Sequence, residues 1–331
     1  MSGTGNSTRA RRGRRLVWLD ALRGFTVVSM VLYHGMWDAV FLFGLKAPWY
    51  DALPGYLWQQ SICWTFIFLA GFSWRFDRKP LKRGLLIFGA GALVTLVTTL
   101  FMPEDRIVFG VLTLIGSCIL LMIPLDRLFR RLFRREDAAA ARTSAILAAA
   151  SAADAGSSGT DAGSPGTIGS GTIDRAGLAI AAALFFLTRD VNSGYLGFES
   201  LRLVRLPAGL YRGMFMTYLG FCDPAFFSTD YFSLIPWFFL FCCGYFAHGI
   251  MLERSARKAE GEARFPEETL SEEPGAAAGG PEDPSGEQKK IPALLRGLCF
   301  LGRHAMAVYI IHQPAILIVL EGIQLLRKMV G

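Results

Sequence analysis

An all-α, polytopic membrane fold is what this sequence predicts, and three observations carry that prediction. About half of the 331 residues are hydrophobic (52 %) and the mean hydropathy is positive. A soluble core could not hide so much apolar surface. The apolar residues gather in runs close to the roughly 20 residues that a helix needs to cross a bilayer core of about 30 Å. The basic residues cluster beside those runs, as they do in cytoplasmic loops: Arg9, Arg11, Arg12, Arg14 and Arg15; Arg75, Arg78, Lys79, Lys82 and Arg83; Arg127, Arg130, Arg131, Arg134 and Arg135. That placement argues against nucleic acid as a partner despite the net charge of +7. No basic stripe with interleaved aromatics sits on a soluble stretch. The chain has no Cys-x-x-Cys pair and its four histidines are scattered, so neither a metal site nor a disulfide framework is expected.

About seven spans are expected, near residues 17–43, 54–74, 84–102, 107–125, 175–188, 234–252 and 304–326. The run from Val17 to Phe43 is too long for a signal-peptide core, and no small-x-small site follows it. This first span is therefore expected to stay in the membrane. Lys and Arg set the orientation. Span 1 starts inside, span 2 ends inside at Arg75, span 4 at Arg127, and span 6 at Arg254, Arg257 and Lys258. These assignments agree if spans 5 and 6 are the only crossings between 126 and 253. The N-terminus is then cytoplasmic, the C-terminus outside, and the protein lies in the cell membrane.

Residues 189–233 fall outside in this scheme. Their apolar stretch "LYRGMFMTYLGF" (210–221) reads as a re-entrant or interfacial helix, with an eighth full span as the alternative. Two segments have a different composition. Residues 136–173 are mostly Ala, Gly, Ser, Thr and Asp, and 256–290 are rich in Glu, Pro and Gly. Both lack core-forming residues and are expected to be disordered cytoplasmic inserts, with a short helix possible over 137–153. The expected order is a basic tail (1–16), a first membrane block (17–135), an insert (136–173), a second block (174–255), a second insert (256–290) and a last helix (291–331).

The first span, "LDALRGFTVVSMVLYHGMWD" (19–38), holds Asp20, Arg23, His34 and Asp38. At about 100° and 1.5 Å per residue, Arg23 and His34 are close to three turns and about 16 Å apart on one face, with Asp20 and Asp38 beside them. A polar stripe within a membrane must face other helices or a wet cavity, since a charge in lipid costs several kcal/mol. Asp20 can pair with Arg23, three residues on, and Asp38 can hydrogen-bond His34, four residues back. Two readings stand. In a purely structural one, Arg23 snorkels to the headgroups and His34 bonds a neighbouring helix. In a functional one, Arg23 grips an anionic group at the inner mouth and His34 performs acid–base or nucleophilic chemistry farther out.

Four blocks carry a resemblance: "RLVWLDALRGFTVVSMVLYHGMWDAVFLFG" (15–44), "FIFLAGFS" (66–73), "LGFCDPAFFSTDYFSLIPWFFLFCCGYFAHG" (219–249) and "LGRHAMAVYIIHQPAI" (301–316). They resemble the catalytic region of the heparan-alpha-glucosaminide N-acetyltransferase family in its compact bacterial branch. The Arg-x10-His spacing also fits the wider membrane acyltransferases. The first and third blocks are the specific ones. The resemblance implies a polytopic acyltransferase that takes an acyl group from cytoplasmic acetyl-CoA, a co-substrate and not a tightly bound cofactor. The acceptor would be an amine or hydroxyl, often on a sugar, at the other face. The animal enzyme carries a histidine just before its second helix. The corresponding "KAPWYDALPG" (46–55) has none, so that role does not carry over and His34 is the candidate from spacing and position.

Within this scheme Arg23, Asp20 and Arg303 would serve the donor. His34 and Asp38 would be catalytic, with His312 a second acid, base or acceptor ligand beside them. A buried histidine bonded to a carbonyl freed by Pro314 is the structural alternative for His312. Asp223, Ser228, Asp230 and Tyr231, with Gln313, would bind the acceptor; as residues alone, the first four suit a solvated loop equally. Gln59, Gln60 and Ser61 are expected to face His34, His248 to sit at the interface, and Trp37, Trp49, Trp58 and Trp237 to form an interfacial belt. The competing function is a small-solute or lipid transporter using the same stripe, which discontinuous helices near the midplane would favour.

Overall fold

The computed structural model describes residues 17–131, 170–264 and 292–330. The basic tail, the expected helix at 137–153 and most of both inserts lie outside the described residues. In chain order the helices are α1 (Val17–Phe41), α2 (Leu53–Trp74), α3 (Pro80–Phe101), α4 (Val111–Arg131) and α5 (Ser170–Leu187). A two-stranded antiparallel hairpin follows, β1 (Tyr195–Phe198) and β2 (Leu201–Arg205). Then come α6 (Met214–Leu219), α7 (Leu234–Arg264), α8 (Ala293–Arg303) and α9 (Ala305–Val330).

Four of these helices are long and apolar enough to cross a membrane: α3, α4, α7 over Leu234–Lys258, and α9 over Ala305–Leu326. The other three expected spans form as α1, α2 and α5 but fall short of that measure. Each carries polar groups that lower its hydropathy: the stripe in α1, Gln59 to Ser61 in α2, and Asp174 with Arg175 early in α5. The stretch 210–221 holds only the six-residue α6, about 9 Å long and far short of a crossing. The hairpin, and the separate helix α8 before the last span, were not expected from the pattern.

The chain divides into two compact units, residues 1–69 with 269–331, and residues 70–268. In the first, α1 packs against α8 and α9. Leu19, Val27 and Met30 turn inward from α1, while Phe25 and Leu32 stay exposed. Along α9, Ile311, Ile318 and Val319 remain bare, an apolar face suited to lipid.

In the second unit α4, α5 and α7 form the core, through Leu114, Cys118 and Met122 at a four-residue period, Phe185, Phe241 and Tyr245. One end of this unit carries Arg75, Asp126, Asp174 and Gly249. At the other end residues 106–109 bond to 227–232: the amide of Val108 donates to Ser228 Oγ (2.9 Å) and that of Phe232 to the Phe109 carbonyl (2.8 Å). The hairpin joins the same end, where the Asp190 amide donates to the Gly197 carbonyl. Segments 102–110 and 188–233 therefore share an end, opposite the basic flanks that begin at Arg75 and Arg127.

Candidate functional site

The polar stripe of α1 forms two stations within the first unit. The lower one begins with a close helix approach. A Cβ built on Gly24 would lie 1.9 Å from the carbonyl oxygen of Leu298, and one on Gly302 would lie 2.0 Å from that of Asp20. Only glycine on both sides lets α8 touch the α1 backbone here. This contact brings Arg303, next to Gly302, to the level where Arg23 donates to Asp20 (3.2 Å). The expected Asp20–Arg23 pair is present. The Arg303 side chain is exposed and donates through Nε to the Cys299 carbonyl (3.0 Å), one turn back.

The upper station joins α1 and α9. The rings of His34 and His312 lie 4.9 Å apart, centroid to centroid, at 59°. Nδ1 of His312 is 2.6 Å from the carbonyl oxygen of Tyr309. A carbonyl can only accept, so Nδ1 carries a proton and Nε2 is the basic nitrogen of the neutral ring. Asp38 is 0 % exposed. Its partner differs from the expected one. Gln313 Nε2 donates to both carboxylate oxygens, at 2.9 and 3.1 Å, and Asp38 makes no hydrogen bond to His34. α9 presents an amide opposite Asp38, and both carboxylate oxygens are taken up by it. α9 continues through Pro314 as one helix.

Aromatic rings pack beside this station. Tyr33 lies 5.1 Å from Tyr50 and 5.3 Å from Trp58. Tyr50 donates its hydroxyl to the Tyr33 carbonyl (3.1 Å), and Trp58 donates its indole N–H to Ser29 Oγ (2.8 Å). Trp58, half-buried on α2, is thus tied to α1. Trp237, 5 % exposed in the second unit, is buried and not part of a lipid belt. Of the polar residues expected to face His34, Gln60 accepts from Trp64 and Ser61 donates to the Trp58 carbonyl, both within α2.

The four residues assigned to the acceptor lie in the second unit, where the structure gives them bonds that tie its loops. Asp223 accepts from the amides of Gly213 (2.7 Å) and Ala225 (2.9 Å), and these bonds hold its carboxyl below the usual carboxylate range. Ser228 accepts from the Val108 amide, and Tyr231 donates to the Thr217 carbonyl. Burial pushes the Tyr231 hydroxyl up. An Oδ2 of Asp230 lies beside Gly110. A cleft of about 250 Å³ opens between Arg106, Val108, Gly213, Met214, Asp223, Ala225 and Phe226. Asp223 lines it, so it is the one of the four that both ties a loop and borders open space.

Sequence reasoning missed a charge network in the second unit. Arg75 donates to both oxygens of Asp174 (2.7 and 3.3 Å) and lies 4.1 Å over the ring of Tyr245. The Tyr245 hydroxyl donates to Asp126 (2.5 Å), which also accepts from Arg130 (2.8 Å). Gly249 leaves room for it, since a Cβ there would lie 1.8 Å from Asp174 Oδ2. His248 is 1 % exposed and bonds the Phe72 carbonyl (2.6 Å), so it is a buried residue and not an interfacial one. Asp126 and Asp174, acids at the ends of apolar runs amid basic flanks, were the available signal. Among the described residues, no cluster of three or more His, Cys, Asp or Glu could hold a metal.

The family model described as heparan-alpha-glucosaminide N-acetyltransferase, catalytic, matches residues 15–150 and 131–271. Arg23, His34 and Asp38 lie inside the matched region, as do Asp223 to Tyr231; Arg303, His312 and Gln313 lie beyond it. No curated protein and no solved structure matches the chain. With more than half of its length covered, this chain belongs to the heparan-alpha-glucosaminide N-acetyltransferase catalytic family, a family of transmembrane acetyltransferases.

Proposed function

We propose that this protein takes an acetyl group from cytoplasmic acetyl-CoA and passes it to an amine or hydroxyl acceptor, a sugar foremost, at the opposite membrane face. The observation that carries the reading is the division of one α1 stripe into two stations, in a chain of this family. Asp20, Arg23 and Arg303 form a charged station where α8 meets α1. His34, His312, Asp38 and Gln313 form a second station about 16 Å farther along the helix. Arginines suit the phosphates of the coenzyme. The imidazoles suit proton transfer or transient acyl carriage.

In direct transfer, an imidazole takes the acceptor's proton as its nitrogen or oxygen bonds to the thioester carbonyl carbon. The C–S bond then breaks and the coenzyme leaves as its thiol. In the two-step form, an imidazole nitrogen bonds to the thioester carbonyl carbon as the C–S bond breaks and the coenzyme leaves as its thiol; the acceptor's nitrogen or oxygen then bonds to the same carbon, the C–N bond breaks, and the acceptor's proton passes to the second imidazole. Either way positive charge builds on the imidazole pair, and the buried carboxylate of Asp38 nearby can offset it. The shared end of segments 102–110 and 188–233, opposite Arg75 and Arg127, supports an extracytoplasmic 189–233.

The test uses purified protein in lipid vesicles with radiolabelled acetyl-CoA and glucosamine as acceptor probe. Acetylated product with release of coenzyme thiol supports the proposal. Label held on the protein when acceptor is omitted, and lost at acid pH, identifies the acyl-histidine route. Absence of both labelled product and labelled protein across a panel of amine and hydroxyl acceptors overturns it.

A further inference from the structure

Gln313 was read from sequence as an acceptor ligand, yet its amide nitrogen is engaged by a carboxylate across the helix interface. Asp38 is wholly buried, and both of its carboxylate oxygens accept from that one nitrogen. Gln313 adjoins His312, and Asp38 is one turn beyond His34 on α1. The pair Asp38–Gln313 therefore lies directly next to the pair His34–His312. Its other neighbour is an apolar contact, where a Cβ on Gly35 would meet Ile316 Cγ2 at 3.8 Å. Dispersion contacts of that kind tolerate sliding by fractions of an ångström. A hydrogen-bonded carboxylate–amide pair does not, because its energy falls steeply with distance and angle.

From this arrangement we propose that Gln313 is a positioning residue: it clasps Asp38 to fix the register of α9 on α1, and so sets the 4.9 Å spacing of His34 and His312. The inference rests on the acetyl-transfer reading for its kinetic consequence, but the clasp itself can be read without activity. A misplacement of about 1 Å in a reacting group can cost about 10²-fold in rate. Losing the clasp therefore acts on turnover and not on acceptor affinity.

The experiment uses the full chain in vesicles and three versions: unaltered, Gln313→Leu, and the exchange Asp38→Asn with Gln313→Glu. The exchange keeps both side-chain lengths and restores a carboxylate–amide pair with its polarity reversed. Kinetics are read as kcat and acceptor KM with glucosamine. Register is read separately, as the yield of cross-linking between cysteines placed at Gly35 and Ile316. Gln313→Leu should lower kcat about 10- to 100-fold with acceptor KM unchanged, and should lower the cross-linking yield. The exchange should recover the cross-linking yield, because it restores the carboxylate–amide pair. A raised KM with unchanged kcat and cross-linking would make Gln313 an acceptor ligand and overturn the proposal. So would an exchange variant that does not regain cross-linking. If no version transfers acetyl groups, the acetyl-transfer reading fails by itself, while the cross-linking yield still decides the clasp.

Discussion

Substituting Gly24 by Ala tests the contact that assembles the lower station. The new methyl carbon would fall 1.9 Å from the Leu298 carbonyl oxygen and 2.6 Å from its carbon. A C···O contact needs about 3.3 Å, so α8 must retreat by about 1.4 Å. The obstacle is helix backbone, which cannot rotate aside as a side chain would. Overpacking of this kind costs about 1–3 kcal/mol. The functional effect should be specific. Arg303 follows Gly302, whose own Cβ position meets Asp20, so the retreat carries Arg303 away from Asp20 and Arg23. Loss of one charge-assisted hydrogen bond to a coenzyme phosphate is worth about 1.5–3 kcal/mol, tenfold or more in affinity. The upper station, about 16 Å away and held by Asp38 and Gln313, should keep its geometry. The assay is acetyl transfer at varied acetyl-CoA, with a thermal melt of the same preparation. A lower melting temperature and a KM for acetyl-CoA raised about tenfold are expected, with kcat little changed. Gly302→Ala should do the same, and the double variant should be less than additive because one contact is at stake. Wild-type melting and wild-type KM in Gly24→Ala would refute the packing of α8 on α1.

Four further outcomes follow from particular residues. His34→Gln should be as damaging to transfer as His34→Ala, by about 10²–10⁴-fold, because Gln can bond but not shuttle a proton; near-normal activity in equal amounts of membrane protein would shift the role to His312. Arg75→Leu strands the buried Asp174 and should lower stability by about 3–5 kcal/mol, whereas Arg75→Leu with Asp174→Leu should melt nearer the parent; equal melting of the single and double variants would contradict the network. The Asp223 carboxyl is held below its ordinary 3.8, so its loop bonds are at full strength above that pH and are lost as pH falls through the lower folded value. Protection of the Gly213 and Ala225 amides from hydrogen exchange, relative to their intrinsic rates, should fall only below about pH 4, and a fall already at pH 6 would dismiss the carboxylate as their tether. A cysteine at position 195 should react with an impermeant reagent added outside intact cells, and labelling at 160 under the same conditions would reverse the proposed sidedness.

Periodicity and charge made much of this protein legible before any coordinates. The residues of the α1 stripe are close in sequence, so the turn of one helix already puts Asp20, Arg23, His34 and Asp38 on one face. Hydropathy marked where each long helix lies, because the bilayer imposes a length that leaves its trace in composition, but not where the helices continue past the apolar run, as α7 does to Arg264. Short pieces were hidden. The hairpin Tyr195–Arg205 exposes every residue of β2 and shows no alternation of burial to detect, and α8 is a helix too short and too polar at Arg296 and Arg303 to register as a span.

What only the tertiary structure decided is which distant groups meet. The sequence determined that Asp38 is a carboxylate needing a partner within an apolar span, and nearest-neighbour logic assigned His34, four residues away. The structure assigned Gln313, separated by 275 positions. Arg75 and Asp174 are 99 positions apart, and Tyr245 and Asp126 are 119, so no local pattern could join them. The reason is physical. A helix dictates the directions of its own side chains through backbone geometry. The partner that satisfies a buried charge is set by which glycines let helices touch, and in what register, and those contacts exist only once the chain has folded.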